Sequence, residues 1–288
     1  MAHLHAILAA ESPAAILIKR GPGRCSCTIG WDRVTDTFEL GQWLKQRIDH
    51  DGADLSPDGK LFVYFVNTQK WGEEHGVYRA ISRAPWLKAL AFWSTDSWTK
   101  GPGVGMFFRD QDGQVKLQAW PQIPKWDHVD MEVVAELPDC PPWSKMVTGC
   151  YLWKRLQRDG WTAAPSWVES AKVDADEFAR RFEINPPRMA FEKPLRHGWK
   201  LRQAEGDWSN CDHNRPIGFK TFAIVSPDGT VQDQPDWEWA ELDPDRNRIV
   251  WTAGCILFAA GVSRDGMETA NLLLNTRDMR FKPRQAPY

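Results

Sequence analysis

Charge of either sign is nearly cancelled in this chain. Lys and Arg total 36 against 38 Asp and Glu, a net charge of −2. That balance excludes a global field steering the protein to nucleic acid or an anionic membrane. No stretch reaches the roughly 18 apolar residues of a membrane-spanning helix. The opening segment 1–10 (MAHLHAILAA) is apolar but lacks the basic n-region of a secretory signal. Six Cys in 288 residues are too few for a disulfide framework. The expectation is a cytoplasmic chain with reduced thiols.

Catalytic signatures are scarce too. There is no G-x-S-x-G. The seven His are His3, His5, His50, His75, His128, His197 and His213, and none sits in a motif that pairs it with a nucleophile. Asp127-His128 and Asp212-His213 are neighbours in sequence, which does not turn their side chains towards each other. No carboxylate spacing marks an acid/base couple. The Gly-rich run Lys100-Gly101-Pro102-Gly103-Val104-Gly105 lacks the GK[ST] ending of a P-loop, and Pro removes one donor N–H. It reads as a hairpin loop. No cofactor is called for.

What is present is a repeated turn. Ser56-Pro57-Asp58-Gly59, Ser226-Pro227-Asp228-Gly229 and Asp243-Pro244-Asp245-Arg246 share one chemistry. Pro presets φ, Asp bonds the local backbone, and Gly accepts positive φ. β-prone runs flank each turn, including 60–66 (KLFVYFV) and 248–251 (RIVW). Further strands are expected at 14–20, 25–31, 37–43, 77–82, 86–93, 103–109, 114–120, 198–202, 219–225, 237–242, 255–260 and 270–274. In the least regular region, 121–190, strands are expected at 130–137 and 145–153, and a helix at 174–182. Trp numbers 17 against 4 Tyr, which suits packing between many sheets.

Short strands separated by PDG turns predict an all-β chain, read as one domain over 1–288: a β-propeller of five or six blades. The tail 279–288 (MRFKPRQAPY) is expected to close the ring by pairing with the first strands.

The pieces Arg20-Gly21-Pro22, Asp36-Thr37-Phe38, Gly41-Gln42-Trp43, DLSPDGK (54–60), AISR (80–83) with Ala89-Leu90-Ala91, DMRF (278–281) and Ala286-Pro287-Tyr288 follow one another along the chain. In that order the chain resembles an uncharacterised bacterial β-propeller-like family. Its PDG repeats look like those of TolB-type and WD40-like propellers. The resemblance implies a fold and no catalytic residue. The WD40 blade signature does not recur: Trp31-Asp32 and Trp126-Asp127 are the Trp-Asp pairs.

Four sets of residues remain as candidates. Trp86 and Trp98, with Arg83, are expected to face a partner, because exposed Trp and Arg dominate binding hot spots. Within 86–93, alternation places Trp93 inward. Cys25, Cys27, Cys211 and His213 are metal-type ligands, but their spacing is not that of a zinc site, and buried thiols with a loop His are the preferred reading. Asp243-x-Asp245-x-Asn247 opens like a calcium loop, yet has Arg248 and Gly254 where Gly and Glu are needed. The basic run Arg188, Lys193, Arg196, His197, Lys200 and Arg202, interleaved with Phe191 and Trp199, could contact single-stranded nucleic acid; a solvated loop face is preferred. The expectation is a non-enzymatic scaffold binding another protein, with no nucleic acid and no membrane span. The alternative is a propeller-fold hydrolase working at the central channel. Nothing in the sequence sets an oligomeric state.

Overall fold

The computed structural model describes residues 3–68, 76–94, 106–111, 114–119, 133–134, 147–164, 190–205 and 220–288. They are overwhelmingly β. The chain divides into two compact units, Met1–Asp159 with Asn275–Tyr288, and Gly160–Leu274.

The first unit begins with two antiparallel meanders, each of four strands in sequence order. One contains β1 (His3–Leu8), β2 (Ala14–Arg20), β3 (Ser26–Asp32) and β4 (Thr37–Leu44). The other contains β5 (Arg47–Leu55), β6 (Leu61–Asn67), β7 (Val77–Arg83) and β8 (Ala89–Ser94). β1, β2, β5 and β6 share a core: Ile7, Ile16 and Ile18 meet Ile48, Ala53, Leu55, Phe62, Tyr64 and Val66. Side chains two apart in a strand share a face, so Phe62, Tyr64 and Val66 point one way. Val63 and Phe65 are buried as well. An unbroken apolar run such as KLFVYFV is what a strand covered on both faces requires.

Where the meanders meet, backbone approaches backbone. A Cβ on Gly41 would lie 2.2 Å from the Pro85 carbonyl oxygen and 2.6 Å from Thr28 Oγ1. Glycine is therefore the residue that fits there. Next come β9 (Met106–Gln111) and β10 (Gln114–Ala119), an antiparallel pair, and β11 (Val133–Val134), parallel to β10.

The segment expected as a strand at 145–153 is helical: α1 spans Val147–Arg158. The strand reading stopped at Trp153 and so omitted Lys154–Arg158 (KRLQR), which consists of good helix formers. Arg155 and Arg158 occupy the last turn, where cations complement the carbonyl ends.

In the second unit a five-stranded antiparallel sheet runs β12 (Thr162–Ala163), β13 (Ala190–Pro194), β14 (Lys200–Glu205), β15 (Lys220–Val225), β16 (Val231–Gln234). β17 (Trp239–Asp243), β18 (Arg248–Ala253) and β19 (Ile256–Ala260) form the next meander. A small hairpin, β20 (Val262–Ser263) with β21 (Gly266–Met267), precedes β22 (Asn271–Asn275), which joins β19. Trp packing is evident here. Trp237 stacks on Trp251 at 4.8 Å, and Trp251 on Phe258 at 5.6 Å.

Both SPDG turns fold alike. Asp58 Oδ1 accepts from Ser56 Oγ (2.7 Å) and from the Lys60 N–H (3.1 Å), while the Gly59 N–H donates to the Ser56 carbonyl (2.8 Å). In the second turn Asp228 Oδ1 accepts from Ser226 Oγ and from the Thr230 N–H, and the Gly229 N–H donates to the Ser226 carbonyl. Gly59 has φ +76° and Gly229 +90°. The first turn joins β5 to β6, the second β15 to β16. The third, at 243–247, joins β17 to β18, with Asn247 rather than Gly at positive φ.

Ring closure by terminal strands is not found among the described residues. β1 pairs with β2, β22 with β19, and no sheet closes on itself. The tail adds no strand. It carries Pro283 and Pro287, and Pro lacks the N–H a ladder needs. The helix expected at 174–182 lies outside the described residues.

Candidate functional site

Three of the sequence candidates were Trp86, Arg83 and Trp98. Trp86 is not on the surface; it keeps 9% of its accessible area. The Arg284 guanidinium lies 5.2 Å from its ring centre, so a cation from the tail covers the face expected to be free. Arg83 is exposed and stands over the Tyr288 ring at 4.9 Å. Trp98 lies outside the described residues. Trp93 is buried, as alternation requires.

The tail is gripped along its length. Lys19, itself buried, donates through Nζ to the Thr276 carbonyl and, at 3.5 Å, to that of Met279. Phe281 meets Trp43 edge-on at 5.8 Å, with Lys45 Nζ 5.3 Å from the Phe281 ring. Gln42 Oε1 accepts from the Leu87 and Lys88 N–H groups (2.7 and 2.9 Å), and its Nε2 donates to the Arg284 carbonyl (2.9 Å). Arg284 donates to the Leu40 carbonyl. The Tyr288 hydroxyl accepts from the Arg83 N–H (3.1 Å) and donates to the Lys88 carbonyl (2.7 Å). Burial raises the Tyr288 pKa, against the lowering effect of the Arg83 contacts.

Of the cysteine candidates, Cys25 and Cys27 are described. Cys25 precedes β3 and is half-buried, whereas Cys27 lies within the strand and is fully buried. Both thiols are free. Burial pushes the Cys27 thiol up to about 12, against the pull of Lys19; a thiolate ligand is disfavoured there. Cys211 and His213 lie outside the described residues. The calcium-like loop is a turn in which buried Asp243 accepts from Arg248 Nε at 3.0 Å.

Three cations of the basic run, Lys193, Lys200 and Arg202, pair with carboxylates of their own unit. Glu192 accepts from Lys200 Nζ (2.9 Å) and from Arg202 Nε (2.9 Å). Lys193 pairs with Glu241, which also accepts from Trp161 Nε1 at 2.9 Å. Phe191 and Trp199 are buried. The aromatic rings that would stack on bases serve as core. Arg188 lies outside the described residues.

Two constellations were missed by the sequence reading. In the first, Asp54 is wholly buried at the end of β5. Its carboxylate accepts from Arg158 Nη1 (2.7 Å) and Nη2 (3.0 Å) and from the Phe108 N–H (2.8 Å). Arg158 Nη1 also donates to the Phe108 carbonyl (2.7 Å), and Arg155 Nη1 to the Ala53 carbonyl (2.7 Å). Burial works against the Arg158 charge, but Asp54 and Asp159 outweigh it and raise the pKa. This fork anchors α1 and β9 to β5.

The second is a cluster of imidazoles. His3 and His5 are two apart on β1 and share the face that carries Ile7. His50 follows Ile48 by two on β5. The His5 and His50 ring centres are 4.3 Å apart, those of His3 and His50 5.3 Å. One nitrogen from each lies within 4.8 Å of the others. His5 is buried; the other two are half-buried. Asp51 Oδ1 is 3.8 Å from His50 Nε2. The H-x-H on a β-prone run was a readable signal for two of these residues. Nothing in the spacing indicated the third.

Among the described residues no helix is long and apolar enough to cross a membrane. No family model matches the chain, and no curated protein matches it. A solved structure, AofleA from Arthrobotrys oligospora, is similar at 9% identity over 94% of this chain and 86% of that one, with a TM-score of 0.32.

Proposed function

We propose that this chain is a β-propeller acting as a non-enzymatic, cytoplasmic scaffold that binds another protein. The architectural part of the reading is supported by antiparallel meanders of four strands, with PDG turns between consecutive strands inside sheets, which is how blades are built.

The observation that carries the binding part is the tail on its groove. The surface formed by Leu40, Gln42, Arg83 and Lys88 holds an extended, proline-containing segment, 281–288. It does so with hydrogen bonds between side chains and backbone groups and with cations set against aromatic rings. That is the chemistry by which proteins hold peptides. A partner segment of similar make-up, aromatic and basic with prolines, would use the exposed rim at Arg83 and Lys88.

The test is affinity purification from the native host at physiological salt, followed by mass spectrometry. The expected result is a stoichiometric protein partner that is lost from the Arg83→Ala/Lys88→Ala variant. Purification without any stoichiometric partner would overturn the scaffold reading. Effort would then turn to the hydrolase alternative, for which the histidine cluster with Asp51 is the convergent group to examine.

A further inference from the structure

We propose that His3, His5 and His50 form a binding site for a divalent transition metal of the zinc class, clasping β1 to β5. The inference is independent of the scaffold reading.

The geometry is close to what a metal demands. Zinc takes imidazole nitrogen at about 2.0–2.1 Å in a tetrahedral arrangement, which sets ligand nitrogens roughly 3.4 Å apart. Here they lie within 4.8 Å of one another. Closing the gap needs movements of up to about 1.4 Å, within reach of small rotations about side-chain torsions. The backbone places the donors well. Two come from one strand face and the third from a strand in the adjoining meander, so one ion would be held from two sheets. Three imidazoles leave a fourth position for water or another ligand, the arrangement of open zinc sites.

The chemistry of the donors selects the metal. Neutral imidazole suits Zn²⁺, Cu²⁺, Ni²⁺ and Co²⁺ rather than Mg²⁺ or Ca²⁺, which want oxygen. Ligation takes the neutral imidazole, so metal binding is coupled to proton release. Asp51, 3.8 Å from His50 Nε2, adds negative charge at the rim. Arg20 stands opposite His3 in the β1–β2 register. Its Nε donates to the Ile48 carbonyl at 2.9 Å and its guanidinium lies 3.9 Å from the Asp49 carboxylate, so its charge faces an anion.

The experiment is titration of the metal-free full chain with Co²⁺ and Zn²⁺, read by calorimetry, by visible absorption and by melting temperature. The expected result is one ion per chain, with cobalt d–d bands and no thiolate-to-cobalt charge-transfer band. The melting temperature should rise on binding. Losing a ligand should weaken binding by at least about tenfold, since even partners one shell further out are worth 10–100-fold. His3→Ala and His50→Gln both read this at half-buried positions, sparing buried His5. Absence of saturable binding in the parent chain would overturn the proposal. So would unchanged affinity in both variants, or a thiolate band, which would place the ion on cysteines.

Discussion

Removing the Asp54 carboxylate should unfasten α1 from the first unit. Asp54 has no accessible surface, and the Arg158 side chain keeps 15% of its own. Three donors converge on the carboxylate, two from one guanidinium and one from the Phe108 backbone, all at 2.7–3.0 Å. A substitution that removes one member of a buried pair leaves the other charge uncompensated, at a cost of about 3–5 kcal/mol. Asp54→Ala meets that condition and also orphans the Phe108 N–H. Asp54→Asn keeps an acceptor for one donor, and so should cost less, about 1.5–3 kcal/mol, the worth of a hydrogen bond to a charged group.

Urea denaturation followed by fluorescence and circular dichroism is the assay. With a slope of about 1–3 kcal/mol per molar urea, Asp54→Ala should lower the midpoint by at least about 1 M. The double change Asp54→Leu/Arg158→Met removes both charges together, which is often near neutral. It should recover much of the loss. Two results would refute the reasoning: a loss below about 1 kcal/mol for Asp54→Ala, or a double variant as unstable as the sum of its singles. Either would mean that the fork decorates the helix without holding it.

Four further outcomes follow from the same contacts. Glu192 is opposed by its own burial, yet the Lys200 and Arg202 hydrogen bonds hold its pKa below the usual carboxylate range; its contribution is present above the unfolded value of about 4.3 and lost as pH falls through the lower folded value, so Glu192→Gln should reduce the fall in stability on acidification, read from urea midpoints between pH 6 and 3. Gly41→Ala puts a methyl group on the Pro85 carbonyl and should cost about 1–3 kcal/mol as an overpacked contact, read by the same denaturation; an unchanged midpoint would mean that the meanders part easily. Tyr288→Ala removes the acceptor of the Arg83 N–H, so hydrogen exchange at that amide should speed up while the amides of β6 keep their protection. Cys27, buried with its thiol pushed up to about 12, should resist iodoacetamide at pH 8 in the native chain while Cys25 reacts, as peptide mass spectrometry would show; equal labelling would contradict the burial.

The turns were readable because their information is local. Ser, Pro, Asp and Gly act within four residues, and the bonds that shape the 56–59 turn span five residues or fewer, while the Pro57 carbonyl accepts from the distant Glu11 N–H at 2.9 Å. Strand positions were readable for a related reason: a period of two is written in consecutive side chains. The tail was legible as structure but not in its manner. It was expected to pair as a closing strand, which its prolines do not favour, and only the fold shows Lys19, Gln42 and Arg83 holding it. Trp86 failed as a surface residue because its cover, Arg284, lies 198 positions away (284 − 86).

The same distinction separates the two constellations that were missed. Asp54 looked like part of a turn motif, and its partner sits on a helix that a period-two reading cut short at Trp153. Had the window run on to Arg158, the amphipathic helix with a cationic end would have been visible, though not its target. The histidines differ. His3 and His5 declare a shared face as soon as 3–8 is taken as a strand, and burial of Ile7 on that face says that it points inward. His50 shares a face with Ile48 by the same rule. What joins the pairs is that Ile7 and Ile48 belong to one core, a tertiary fact that alternation alone does not encode. Apolar residues tolerate any neighbour of suitable size, so they fix faces without fixing partners. Imidazoles brought together by such a core acquire a joint chemistry that neither strand carries by itself.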